Sequence, residues 1–384
     1  MFKFTRISSV YPEVANIIEN EIRQNNNLNY KKTLNKVFSY GFGEENNLSK
    51  ELSKKNYKCE EIISNIDSLQ KKWTKEFLEN RNDKNILLEQ IKFYKSNIIY
   101  FNNYSLMDKK LLFKIRKLKH VKLIIVFHCS PINLRIAKKL KLADILVTCT
   151  DGYKNQIHKM IKKKCYKICH AFNASNKNYE NFKKRNVDIA FIGSLYVRSG
   201  LHINRINLIF NLLKSFKNSY IGVNFSLKNI YQIVVFFFNI KLNLSMFEKS
   251  KLIYKIYYIY KNCNKPIYGK KMINILSKSK ILINTHIEDT KYAGNMRLFE
   301  GTAAGCMVIT DNKLGLKELF IPNKEIVIYN NINELLIKIN DFLENMPKLI
   351  MIANKGKRKT ILNHSYRNRA KEFHKIIHKN LKYK

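Results

Sequence analysis

The chain has 384 residues, 45% of them hydrophobic and 12% aromatic, which exceeds one ordinary domain and is ample for packed cores. Its 71 Lys and Arg against 29 Asp and Glu leave a net charge of +42. That balance favours acidic partners such as nucleotide phosphates, anionic lipid surfaces or nucleic acid, although the joint richness in Lys, Asn and Ile is also what AT-rich codons produce without selection for binding. Only 5 Pro and 12 Gly, with apolar residues spread throughout, argue against long disordered tracts, so two compact domains are expected.

The start, MFKFTRISSVYPEV, lacks the roughly 7–15-residue apolar core of a signal peptide, and export is not expected. Residues 2–7 alternate as a strand, and SSVYP is the loop after it. Residues 13–90 read as mostly helical, with apolar positions at three and four through 60–79 (Ile62, Ile63, Ile66, Leu69, Trp73, Phe77), so Trp73 belongs to a core stripe. Strands are expected at 97–101 (NIIYF), 121–127 (VKLIIVF) and 143–148 (ADILVT), with a basic helix at 109–119 and a Lys-rich helix after Asp151. The alternation of strands and helices predicts a parallel sheet with covering helices, whose carboxyl-end loops line a ligand crevice. His128 stands at such a strand end. With an ordinary pKa near 6.5 it suits proton transfer, and a structural role is the alternative.

A polar, charged segment at 173–185 separates this half from a second series. The strand 187–192 runs into a Gly193-Ser194 turn with Arg198 shortly after, and is followed by a helix at 204–216 and a strand at 220–223. Residues 227–264 carry no clear pattern, although 230–242 (IYQIVVFFFNIKL) is the longest apolar stretch. With Gln232, Asn239 and Lys241 it falls short of the roughly 20 residues a bilayer span needs; it reads as a buried helix or strand, or else as a membrane-surface patch. A helix at 270–278, strands at 280–285, 306–310 and 325–329, a helix at 332–343 and a basic helical tail from Pro347 complete the chain.

Seven cysteines without framework spacing predict reduced thiols and a cytosolic compartment. Cys165-x3-Cys169-His170 holds metal-ligand residue types, but no second cluster completes a tetrahedral site in the sequence, so zinc is not expected.

The stretch 291–320 (KYAGNMRLFEGTAAGCMVITDNKLGLKELF) organises the second half. Gly294 leads into a short helix on which Met296, Phe299 and Ala303 share a face, with Glu300 at its edge. Glu300 either reaches a ligand or pairs with Arg297 three residues earlier, an arrangement worth about 0.2–0.5 kcal/mol. Gly301 inside the helix, at a cost of up to about 1 kcal/mol relative to Ala, signals a close approach of backbone or ligand. The helix start aims free N–H groups beyond Gly294, a seat for phosphate. Neither a complete G-x-G-x-x-G fingerprint nor a G-x-x-x-x-G-K-[ST] loop is present, so neither a dinucleotide oxidoreductase nor a P-loop NTPase is favoured.

VDIAFIGS, PIYGKKMINILSKSKILINTH, AGNMRLFEGTAAGCMVITD, LKELFIPNKEIVIY and HSYRNRA, in this order from Val187 to Ala370, resemble the C-terminal domain of GT-B glycosyltransferases in the group-1, spore-maturation-protein-like branch. The likeness extends weakly into the first half through residues 3–12, 68–76 and HCSP. It implies an α/β fold of GT-B architecture, with two Rossmann-like domains facing a central cleft: an acceptor-side domain at 1–178, a donor-side domain at 179–346, and a basic helical C-terminal tail at 347–384. It implies transfer of a sugar from a nucleotide-diphosphate sugar to a glycan or lipid-linked acceptor in cell-surface polysaccharide assembly, with the nucleotide sugar as co-substrate, no cofactor and no metal.

By position, Glu300 resembles the glutamate that accepts from the donor's ribose hydroxyls, and Gly294 and Asn295 resemble the loop that meets donor phosphate or sugar. Arg297, and Arg198 after the Gly193 turn, are the candidates for neutralising the departing diphosphate, and surface ion pairs are their alternative. His128 is the catalytic or acceptor-side candidate, with Asp151, Glu288 and Asp289 as fallbacks. The related E-x7-E motif places a glutamate eight residues before the ribose-binding one; Tyr292 stands there, so that carboxylate is missing or supplied elsewhere. The expected location is the cytoplasm, with peripheral contact to the inner face of an anionic membrane. Two alternatives stay open: a catalytically inactive sugar-nucleotide-binding protein, and a basic nucleic-acid-binding protein, against which the core-like aromatics and the lack of a recognition motif argue.

Overall fold

Among the described residues, eleven strands build two all-parallel sheets: β1 (Phe2–Ser8), β2 (Tyr57–Ile63), β3 (Ile98–Phe101), β4 (Leu123–Phe127), β5 (Ile145–Thr148), β6 (Cys165–Lys167), β7 (Val187–Leu195), β8 (Ser219–Phe225), β9 (Ser279–Asn284), β10 (Met307–Asp311) and β11 (Val327–Tyr329). The structure is a computed structural model, and it describes residues 1–24, 27–41, 46–78, 85–172, 182–196, 202–225, 227, 230–239, 245–288 and 290–381. The chain divides into two compact units, Met1–Asn173 with His364–Lys384, and Ala174–Asn363.

In the first unit the strand order is β2-β1-β3-β4-β5-β6. Alternate residues of each strand serve the two faces: Ile7, Ile99, Phe101, Ile124 and Val126 pack under one layer of helices, and Phe4, Ile98, Tyr100, Leu123 and Ile125 under the other. Part of that second cover is the helix Tyr366–Leu381, which buries Tyr366, Ala370, Phe373 and Ile377 there. The expected tail at 347–384 is therefore split. The helix Met346–Asn363 packs within the second unit, where Thr360 Oγ1 lies 2.6 Å from Thr302 Oγ1, and the last helix is a structural part of the first.

The expected helical run at 13–90 is interrupted by β2, which pairs with β1 over seven positions from Phe2–Tyr57 to Ser8–Ile63. Its period-2 pattern is masked by Glu61, which is buried and held by Arg6 at 3.2 Å. The expected Trp73 core position holds, with the indole fully buried. β6 was not apparent in the sequence either, being three residues long and only half-buried. Cys129 and Cys149, beyond the ends of β4 and β5, are disulfide-bonded, which corrects the expectation of seven reduced thiols. The parallel register brings them together across 20 residues of sequence.

The second sheet has the order β11-β10-β9-β7-β8, so the chain reverses its direction of strand addition between β7 and β9. In open α/β sheets such a reversal opens a crevice at the strands' carboxyl ends. The unassigned stretch forms two helices, Ile230–Asn239 and Met246–Asn262. Among the described residues, no helix is long and apolar enough to cross a membrane.

The helix Met296–Ala303 lies on this sheet with Leu298, Phe299, Gly301, Thr302 and Ala303 buried. The close approach signalled by Gly301 is to the sheet: a Cβ there would sit 2.1 Å from Leu282 Cδ2 and 3.0 Å from Val308 Cγ2. Overpacking of this kind costs about 1–3 kcal/mol, which exceeds the gain of up to about 1 kcal/mol in helix propensity. Gly301→Ala is therefore expected to lower the melting temperature, and a rise on thermal denaturation would contradict this packing.

Candidate functional site

At the reversal point, Arg205 spans the carboxyl ends of β7 and β9. Its Nη1 donates to Ser194 O at 2.8 Å, and its Nη2 to Thr285 O at 3.3 Å and His286 O at 3.4 Å. Burial pushes this guanidinium down to about 10, while Asp311, Tyr329 and Glu288 act the other way. Arg205 thus fixes the crevice floor as a cation bound to carbonyl dipoles.

Beside it, polar side chains at the ends of β9 and β10 hold the loop that precedes the short helix. His286 Nδ1 lies 2.7 Å from Asp311 Oδ1, and the His286 N–H donates to the same carboxylate at 3.1 and 3.2 Å. The opposite ring nitrogen, Nε2, accepts the Gly294 N–H at 3.2 Å. Because Nε2 accepts, the ring proton resides on Nδ1, directed at Asp311. Burial pushes the Asp311 carboxyl up, but the hydrogen bonds it accepts from the His286 ring and backbone outweigh it with help from Lys313, so its pKa lies below the ordinary 3.8. Gly294 has φ of 146°, a conformation that favours glycine. A two-way tie of Ala293 N–H to Leu314 O (2.9 Å) and Leu314 N–H to Lys291 O (3.0 Å) anchors the same loop.

Asn295 occupies the N-cap of the helix, yet its side chain makes no capping bond. Its Nδ2 instead donates to Asn284 Oδ1 at 2.9 Å and Thr285 O at 3.3 Å, while Asn284 donates to Thr310 Oγ1 at 2.8 Å. Its Oδ1 is buried without a hydrogen-bond partner among the described residues. The first-turn N–H groups are thus left without a side-chain acceptor, the condition under which a helix start binds an anion. Arg297, in that first turn, donates from Nε to Ile192 O at 3.2 Å and from Nη1 to Glu300 Oε2 at 2.6 Å, beside the Met272 sulfur. The i,i+3 pair anticipated for Glu300 is therefore formed, with side-chain exposures of 22% for Arg297 and 14% for Glu300. The pair orients both groups at one end of the sheet and leaves each partly accessible.

The structure gathers Gly294, Asn295, Arg297 and Glu300 at this end, and Gly193 is nearby in β7, where a Cβ would lie 3.8 Å from Arg205 Nη1. Arg198 and Asp289 lie outside the described residues. Tyr292, where the related motif has glutamate, pairs with Leu314 in an isolated bridge. Glu288 accepts the Asn204 N–H. In the first unit, Asp151 pairs with Lys167. His128 is 3% exposed, lies 5.1 Å from the Tyr104 ring and meets Ser130 Oγ at 3.2 Å through Nε2. Burial holds its pKa below the ordinary 6.5, opposed by hydrogen bonds to the Ser130 and Pro131 backbone. Arg205, Asn284, His286 and Asp311 were not assigned from the sequence. Polar residues ending apolar strands in THIE and ITD were the signal available.

Residues 254–375 match the family described as glycosyl transferase-like. Among solved structures, the chain resembles a glycosyltransferase from Rickettsia africae at 14% identity and TM-score 0.55, over 100% of this chain and 99% of that one. It resembles Anabaena HepE in complex with UDP-glucose at 10% identity and TM-score 0.61, over 99% and 100%. Sucrose-phosphate synthase from Thermosynechococcus elongatus matches at 10% identity and TM-score 0.57, over 100% of both chains. No curated protein matches the sequence. The fold is thus GT-B, two Rossmann-like units each carrying a parallel sheet. Within that fold, residues 254–375 are the part similar to the glycosyl transferase-like family.

Proposed function

We propose that the chain is a metal-independent glycosyltransferase moving a sugar from a nucleotide-diphosphate sugar to a glycan or lipid-linked acceptor in cell-surface polysaccharide assembly. The observation that carries this reading is the uncapped start of the helix Met296–Ala303, with Arg297 in its first turn and Glu300 one turn on. The diphosphate binds the free N–H groups and Arg297, whose Nη2 has no partner among the described residues. Glu300 accepts from the ribose hydroxyls, and the buried Asn295 Oδ1 accepts from a donor hydroxyl. As the glycosidic bond to phosphate breaks, negative charge grows on the departing diphosphate, and fixed N–H dipoles and a guanidinium stabilise it without rearranging. Anabaena HepE, which shares the fold, has been solved with UDP-glucose, and that supports a nucleotide-sugar co-substrate. A thermal-shift screen of nucleoside diphosphates and their sugars tests the donor site, and an assay of transfer to glycan and lipid-linked acceptors tests the reaction. Binding without turnover across the panel would instead favour an inactive sugar-nucleotide-binding protein.

Peripheral contact with an anionic membrane is part of the same proposal, and the helices Ile230–Asn239 and Met246–Asn262 support it. Tyr231, Val234 and Phe238, at spacings of three and four, are 75%, 47% and 78% exposed, and Met246 and Phe247 at the next helix start are 69% and 67% exposed. Lys251 stacks over Phe247 at 4.1 Å. An exposed apolar stripe beside lysines is the pattern of an interfacial helix. The chain is expected to sediment with anionic vesicles at moderate salt. Phe238→Ser with Phe247→Ser should lower the partition by roughly tenfold or more, since burying one Phe contributes about 1.5–3 kcal/mol. Equal pelleting of the variant would remove this face from the contact.

A further inference from the structure

Three side chains that the donor-site reading leaves unused converge in the first unit. Cys129 follows β4, Cys149 follows β5 and His170 follows β6, and these adjacent parallel strands bring their carboxyl ends to one edge. A sulfur of each cysteine and a ring nitrogen of His170 lie within 4.8 Å of one another. Cys149 is buried and the other two are half-buried. The sulfurs are bonded to each other in this structure, with Cα atoms 5.6 Å apart. A bridge that only ties two strand ends has no use for a converging imidazole, and the third donor atom is what turns the pair into a ligand set.

We propose that Cys129, Cys149 and His170, when the two sulfurs are reduced, bind one zinc-class ion through two thiolates and an imidazole, with water as the fourth ligand. Zinc holds thiolate sulfur at about 2.3 Å and imidazole nitrogen at about 2.0–2.1 Å in a tetrahedron, so ligand atoms around it stand roughly 3.4–3.8 Å apart, within reach of the spread seen here. Two sulfurs and one imidazole select a borderline-soft ion over magnesium or calcium. Two thiolates neutralise a dication. The Arg369 guanidinium, which donates to the His170 carbonyl at 3.2 and 3.3 Å, then faces a centre without excess positive charge. Those bonds and the edge of Phe127, 5.7 Å from the imidazole, hold His170 in place. The Cys-His motif visible at 165–170 thus contributes His170, and its partners come from two other strand ends. Access to the site requires a two-electron reductant: a dithiol closing to its own disulfide, or a phosphine taking oxygen from water to become its oxide, converts the disulfide to two thiols with uptake of two protons, and the ion then displaces both thiol protons.

The test is titration of the full chain, reduced with a phosphine, with cobalt(II), which adopts tetrahedral thiolate sites and reports them by sulfur-to-cobalt charge-transfer absorption, followed by displacement with zinc. One equivalent of cobalt is expected, with the band absent in the unreduced protein and in the Cys129→Ser/Cys149→Ser double variant. Affinity should fall roughly tenfold or more in His170→Ala. The wild-type titration decides without any variant: no charge-transfer band in the reduced, folded chain overturns the proposal. A full band in the double variant overturns it too, assigning the ion to the five other cysteines.

Discussion

Glu300→Ala is expected to lose most of the rise in melting temperature that nucleoside diphosphates and their sugars give the wild-type chain. Hydrogen bonds to a charged group contribute about 1.5–3 kcal/mol each, so removing the carboxylate from the ribose hydroxyls should weaken binding by roughly 10- to 100-fold. At a nucleotide concentration near 100 times the wild-type Kd, ligand stabilisation is about 2.7 kcal/mol, and a 100-fold loss of affinity leaves about 0.4 kcal/mol. Glu300 also pairs with Arg297 at 2.6 Å, so the ligand-free variant must be melted beside the wild type and only the ligand-dependent difference compared. Glu300→Gln retains one carbonyl acceptor and should lie between the two. An unchanged shift in the alanine variant removes Glu300 from the donor site. If no nucleotide raises the wild-type melting temperature, the donor site itself is lost, whereas the cobalt titration of the first unit stands or falls independently.

Most strands of the two sheets are legible because buried parallel strands are runs of apolar residues, as in Ile98–Phe101 and Leu123–Phe127. β2 was hidden because its buried Glu61 is satisfied by Arg6, a partner 55 positions away that no local pattern discloses. Arg297 and Glu300 were legible because both belong to one short helix, and the same spacing that nominates them as ligand groups also makes them a pair. Their supports were not, since Arg205 meets Thr285 and His286 only across the β7–β9 reversal and His286 meets Asp311 only through the β9–β10 register. The last helix was misjudged for a related reason. Its lysines mark a basic helical tail, but the buried stripe of Ala370, Phe373 and Ile377 belongs to a sheet more than 200 residues earlier in the chain, and composition does not reveal which surface a stripe covers.

The His286–Asp311 pair should have the largest effect on stability among the site's supports. Asp311→Ala removes the acceptor of the His286 ring proton and backbone N–H, and a buried donor left unpaired costs about 1–3 kcal/mol. For a unit of this size each kcal/mol lowers the melting temperature by about 2–4 °C, so a drop of roughly 2–12 °C is expected at neutral pH. The pH dependence carries a definite sign. The folded-state pKa of Asp311 lies below the ordinary 3.8, so its stabilisation is fully present above the unfolded value and is lost as pH falls through the folded one. The gap between wild type and Asp311→Asn should therefore be constant near neutrality and close below about pH 4; a gap that widens in acid would contradict the assignment. Because His286 Nε2 also receives the Gly294 N–H, loosening the ring loosens the loop that leads into the helix start. Donor KM should rise more in Asp311→Asn than in Gly301→Ala, since the glycine variant disturbs packing against Leu282 and Val308 and leaves the Gly294 hydrogen bond in place. Equal KM changes in two variants of equal melting temperature would reduce the pair to a structural tie.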